Sequence, residues 1–341
     1  MRNQTPAPHD GLVRSLVALL LLAIVWGGSI PLIKLGLRDI PPLTLTALRY
    51  LVAAPCFLWL LRGRPLPPPR ACAAVAALGL LGIGVGQTAQ TLGVRLTFAS
   101  VATVISALIP AFVVVLAALR LRQPITSLQA AGLGTALVGV ALVAGGDPRA
   151  VAASFKIGGG RAGPTAVPAH VGFAGVGLLL LSAVAVALYY VFSVELIDRY
   201  SVPTVAALSS LAGAAALAPI AAWELGRVPI RLTPSGTGVV LYLALLVTVA
   251  GLWVWFDALA RLPARIPAAL QYLQPIVGVL ASAALFGDSL DVWFWTGTAL
   301  VLAGIALSAR PGRSLLTAEN RCPSAEAAAR VSPPRSASGT S

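Results

Sequence analysis

The groups able to do chemistry in this chain are amides, hydroxyls, indoles and a few isolated charges inside long apolar runs. They suit hydrogen bonding to a solute better than bond breaking. Gln271, Gln274, Gly278 and Ser282 fall within about 80° of arc on a helix, forming one polar, small-residue stripe around Pro275. Ser106 precedes Pro110 by the same four residues that separate Gln271 from Pro275, and Thr103 lies one turn earlier. Each proline lacks an N–H, and its ring clashes with the carbonyl four residues back, that of Ser106 or Gln271. A carbonyl freed in lipid is costly, so it has to face protein or a watery cavity. A packing kink with inter-helix hydrogen bonds would meet that demand. A cavity lining is the preferred reading, because broken helices in matching positions point to a solute site.

A second polar group is Gln87, Gln90 and Thr91, which follows Gly82, Gly84 and Gly86. The glycines sit in an apolar run with no preceding strand, so close helix packing explains them better than a nucleotide loop. Gln87 and Thr91 share a helix face and could bind a solute or each other. Trp26 and Tyr189 lie deeper than an interfacial aromatic belt requires, which leaves belt and ligand-stacking roles both open. Ionisable residues inside spans are expensive. Arg49 lies about two turns into an apolar helix with no acidic neighbour on it, and is read as snorkelling or meeting a carboxylate or helix C-terminus elsewhere. Asp257 has Arg261 one turn later, which favours a local ion pair over a proton-coupling role. Glu195, Asp198 and Glu224 end apolar runs and read as solvated surface.

Enzymatic machinery is missing from the pattern. His9 and His170 sit in a tail and a loop, and no nucleophile–base set, carboxylate pair or metal-ligand spacing occurs. Cys56, Cys72 and Cys322 form no metal or disulfide framework. The expectation is no enzyme, no metal and no cofactor.

The elements that carry these groups follow from composition. The 341 residues are 58% hydrophobic and 10% charged, where soluble chains carry roughly a quarter charged residues. A hydrocarbon core needs about 20 apolar residues in helix. Suitable segments run at 14–33, 43–61, 71–92, 98–119, 127–145, 172–194, 203–223, 236–259, 264–286 and 292–309. The fold class expected is an all-α integral membrane protein with ten spans. The net charge of +13 comes mainly from arginines flanking these runs, which indicates membrane orientation rather than nucleic acid. Basic residues favour cytoplasmic termini, by fifteen inside to eight outside.

The two halves repeat. At an offset of 165 residues Pro110 meets Pro275, Gly132 meets Gly297 and Gly139 meets Gly304, without a gap. Five spans per half is odd, so the second repeat enters the membrane from the opposite side and the repeat is inverted. At the same offset Gln90 and Thr91 meet Trp255 and Phe256, so one wall would be polar and the other aromatic. The organisation expected is a tail at 1–13, repeats at 14–145 and 172–309, a Gly-rich linker at 146–171 and a disordered tail at 310–341.

The chain resembles the EamA-type branch of the drug/metabolite transporter superfamily. The resemblance rests on Trp26-Gly-Gly with Lys34, on Pro42 with Arg49, and on residues 99 to 110. It extends to Gln271-Tyr-Leu-Gln-Pro275 with Gly278, and to Gly132, Gly139, Gly297 and Gly304. It implies ten helices, inside termini and a central cavity lined by helices 1, 3, 4, 6, 8 and 9. It also implies export or exchange of small metabolites such as amino acids. One departure concerns the Gly-Glu common after the fourth and ninth helices, where this chain has Arg122-Gln123 and Gly287-Asp288.

The function expected is an inner-membrane secondary transporter working by alternating access on a small-molecule substrate. The alternatives are a nucleotide-sugar or sugar-phosphate carrier, which needs cavity cations beyond Arg49, and a non-transporting multi-pass scaffold or receptor. Substrate, direction, coupling ion and oligomeric state are not legible in the sequence.

Overall fold

The computed structural model describes residues 9–120, 126–145, 169–261, 270, 273–288 and 290–308. Among them the regular structure is helical throughout. The helices are α1 (His9–Gly36), α2 (Pro42–Leu61), α3 (Pro69–Leu96), α4 (Ala99–Arg120), α5 (Ser127–Gly145), α6 (Ala169–Tyr200) and α7 (Val202–Leu225). They continue with α8, built end to end from Pro234–Leu241, Tyr242–Ala250 and Gly251–Arg261, then α9 (Leu273–Phe286) and α10 (Val292–Ser308). Seven of these, α1 to α4 and α6 to α8, are long and apolar enough to cross a membrane, while α5, α9 and α10 are shorter apolar helices. Gln271, most of the 146–171 segment and the 310–341 tail lie outside the described residues.

Proline sets many of the starts. It occupies the first turn of α2, α3, α7 and α8, where its missing N–H costs nothing and its φ is already helical. Helix α6 runs to Tyr200, beyond the 172–194 segment read from apolarity, because its charged last turns have partners. Glu195 pairs with Arg120 at 2.7 Å, and Arg120 also donates to Val191 O at 2.9 Å. Ser201, with φ 71°, then reverses the chain into α7.

Packing partners recur with a spacing of five helices. Helix α2 lies against α7, α4 against α9 and α5 against α10; α1 meets α8 and α9, while α6 meets α3 and α4. The tightest pair is α5 with α10. A methyl group on Gly132 would sit 2.6 Å from Ser308 N and 2.7 Å from Gly304 O, and one on Gly139 would sit 2.7 Å from Val301 N. Gly297 and Gly304 return the same contacts on Gly139 and Gly132. The four glycines of the sequence repeat are therefore one self-complementary contact between antiparallel helices, with the backbones too close for side chains.

Charged groups lock one end of the bundle. Lys34 on α1 donates to Val94 O, Arg95 O and Thr97 O at the end of α3, at 2.9, 3.1 and 2.6 Å. Asp288 after α9 accepts from Ser100 N at the start of α4, at 3.0 Å. Asp39 accepts from the Thr233 and Ser235 hydroxyls at the start of α8. Glu224 corrects an expectation: it is 8% exposed rather than solvated, and accepts from Thr44 N at 2.7 Å and Thr44 Oγ1 at 2.8 Å. The first turn of α2 has orphan N–H groups and a positive end, so the carboxylate at the end of α7 is held by the helix it caps.

Gly139→Ala should force α5 and α10 apart and cost about 1–3 kcal/mol. Gly134→Ala, where a methyl group meets nothing within 4 Å, should leave stability unchanged or raise it by about 0.5–1 kcal/mol. Thermal unfolding of the detergent-purified variants checks the contrast.

Candidate functional site

The centre of the bundle departs from regular α-helix at matched places. Leu80–Gln87 in α3 and Tyr242–Ala250 in α8 are wound as π-helix. At the 165-residue offset the first segment falls on 245–252, so the two overlap. Wider turns displace carbonyls from the α-helical ladder, and such turns concentrate at functional sites. Here the displaced groups find partners. Thr248 Oγ1 donates to Leu243 O at 2.8 Å, and Trp26 Nε1 on α1 donates to Val247 O at 2.9 Å. The ring of Trp26 lies against Gly251, and the ring of Tyr189 on α6 lies against Gly82 inside the α3 turn. Each wide turn thus carries an aromatic residue from the first helix of the other half.

Arg49 joins the two wide turns. From α2, its Nε donates to Thr248 Oγ1 at 2.8 Å and its Nη1 to Gln87 Oε1 at 3.1 Å. The guanidinium stands 5.4 Å from the Tyr50 ring centroid. The sequence suggested a snorkelling residue or one meeting a carboxylate or a helix C-terminus. Instead the side chain is half-buried with an amide and a hydroxyl as partners, and among the described residues no carboxylate lies within ion-pair distance. A guanidinium at membrane depth costs roughly 2.5–3.5 kcal/mol on insertion scales, and the Gln87 and Thr248 bonds offset part of that cost.

The other sequence candidates are distributed around this node. Thr91 Oγ1 donates to Gln87 O at 3.0 Å and lies 2.9 Å from Thr46 Oγ1, so it ties α3 to α2. Gln90 Nε2 lies 3.5 Å from Ser106 Oγ on α4. Helix α4 is interrupted just there, at Ala107 and Leu108, and Pro110 beyond the break is exposed. Thr103 donates to Ala99 O at 2.8 Å and abuts Gly278, which puts it in the seam of α1, α4 and α9. Tyr189 OH and Ser209 Oγ are 3.0 Å apart. Trp26 and Trp255 are tilted rings with centroids 5.8 Å apart. Pro275 is buried in the first turns of α9, and the amide nitrogen of Gln274 is buried with no hydrogen-bond partner among the described residues. Asp257 is half-buried on α8; the Arg261 side chain lies outside the described residues.

Sequence reasoning missed Thr248, Thr46 and Ser209. Only Thr248 left a signal, as the one threonine in the otherwise apolar run 243–250. Among the described residues no three His, Cys, Asp or Glu side chains are placed to hold a metal ion. The node offers hydrogen-bond donors and acceptors, one cation and aromatic faces, which is equipment for holding an organic solute.

A bundle of apolar helices with a polar node between matched helix irregularities has the organisation of a membrane transport protein. The chain belongs to the EamA-like transporter family, which matches residues 13–145 and 173–310, and so to the drug/metabolite transporters its sequence resembled. A probable amino-acid metabolite efflux pump of Salmonella typhimurium is 28% identical over 308 residues, covering 85% of this chain and 92% of that protein. A probable terminal-alkyne amino-acid exporter of Streptantibioticus cattleyicolor is 27% identical over 309 residues, covering 87% and 93%. A solved crystal structure shares the fold with a TM-score of 0.57 and 19% identity, over 90% of this chain and 99% of that one.

Thr248→Val and Arg49→Met act on one hydrogen bond, so their stability costs should be non-additive by about 0.5–3 kcal/mol. A double-mutant cycle on purified protein measures this, and strict additivity would mean that Arg49 and Thr248 do not hold each other.

Proposed function

We propose that this protein exports small amino-acid-type metabolites across the inner membrane by alternating access. In this reading ten spans form two inverted five-helix repeats at 14–145 and 172–309, with both termini cytoplasmic. The substrate site is the node between the wide turns of α3 and α8, walled by Trp26, Trp255 and Tyr189. The observation that carries the reading is the matched pair of π-helical segments, each faced by an aromatic residue from the opposite half. Helix irregularity at membrane depth is tolerated where it lines a cavity or is buried in protein, and at corresponding places in two repeats it points to the solute path.

The self-complementary glycine contact of α5 with α10 and the five-helix recurrence of packing partners support a two-fold relation between the halves. Such a relation lets one set of contacts close either end. The cross-links of Asp39, Glu224 and Asp288 then hold the outer end shut, and each would have to part when the site opens outward. The names of the relatives supply the solute class, and the hydrogen-bonding and aromatic lining is compatible with it.

Proteoliposomes loaded with a radiolabelled mixture of amino acids should release some of them faster with the protein than without it. Trp26→Ala and Gln87→Leu should each slow that release at least tenfold. Absence of flux for every solute, with or without an imposed gradient, would sink the transport reading.

A further inference from the structure

We propose that Arg49 is the receptor for a carboxylate on the transported solute, and that the solute class is a monocarboxylate with an apolar or aromatic body. The inference rests on the transport reading and assigns the chemistry of its site. A guanidinium has five N–H donors in a planar fork. Arg49 uses two of them, on Thr248 Oγ1 and Gln87 Oε1. That leaves three, and among the described residues nothing takes them.

The two bonds already made come from different helices and hold the plane of the fork between α3 and α8. Neither partner carries charge, so the positive charge is retained in the middle of the node rather than cancelled. A fixed, half-buried and un-neutralised guanidinium is complementary to a carboxylate, which it can bind bidentately.

The surroundings decide the rest of the solute. The Tyr50 ring lies beside the charge, Tyr189 lies on the α3 turn, and the Trp26–Trp255 pair begins one residue from Thr248, at Val247. These faces suit an apolar or aromatic body. Among the described residues no carboxylate is bonded to the node. Asp257 lies nine residues past Thr248 on α8, about 14 Å along the helix axis, and Glu224 is held by Thr44. An ammonium group on the solute therefore contributes little to recognition, and the carboxylate contributes most. A single cation also disfavours a phosphate dianion.

Binding to the full-length protein in nanodiscs, read by tryptophan fluorescence, tests this with 3-phenylpropionate, its amide, phenethylamine, phenylalanine and phenyl phosphate. The acid and phenylalanine should bind at least tenfold more tightly than the amide, the amine or the phosphate. Arg49→Gln should abolish that preference, and thermal unfolding of the variant reports separately that it is folded. Arg49→Lys, which keeps the charge but not the fork, should retain an intermediate preference.

The proposal is overturned if the amide or amine matches the acid in the wild-type protein, if phenyl phosphate outcompetes the acid, or if no probe binds. It is also overturned if acid preference survives Arg49→Gln, or if Arg49→Lys restores it in full. Carboxylate-selective binding without flux would leave this assignment standing and sink only the transport reading. Flux of the amide equal to that of the acid would do the reverse.

Discussion

Everything in this molecule depends on satisfying backbone and charge where no water is available. Lipid offers no hydrogen-bond partner, so each departure from the α-helical ladder has to be answered by protein or by a wet cavity. The wide turn of α8 is answered by Trp26 at Val247 O and by its own Thr248 at Leu243 O. Arg49 is answered in turn by Thr248 and Gln87. Irregular backbone, buried charge and aromatic residues are therefore one linked arrangement, and moving one member disturbs the others.

The same constraint governs the helix ends. The carboxylates of Asp39, Glu224 and Asp288 each meet a helix start from a different segment, and Lys34 gathers three carbonyls at the end of α3. These groups bring ends together where hydrophobic contact alone would leave orphan N–H and C=O groups. At the opposite end the described cross-links centre on Arg120 with Glu195, Val191 O and the Phe192 ring. The two ends differ in chemistry although the helices between them pair alike.

Much of the fold was legible because lipid imposes a simple rule on apolar length. Ten apolar segments and the recurrence of Pro110 with Pro275 could be read directly, and so could the glycines at 132, 139, 297 and 304. The candidate site was legible in part. Gln87, Trp26 and Tyr189 were singled out by polarity or depth, and they do border the wide turns. Thr103 was singled out in the same way but lies in a helix seam against Gly278, because helical spacing says which residues share a face and not what that face meets. Glu224 was misread because a carboxylate at a helix end normally reaches water, and only the neighbouring start of α2 removes it from water.

The sequence by itself determined an apolar, helical, internally repeated chain, since hydrophobic length, proline and glycine act locally or through one-dimensional periodicity. Tertiary structure alone decided where Arg49 puts its charge, which groups meet the wide turns of α3 and α8, and which helix Glu224 caps. Those outcomes depend on groups from 38 to 221 residues apart in the chain. No spacing rule reaches across such distances, because the contacts exist only once the helices have packed.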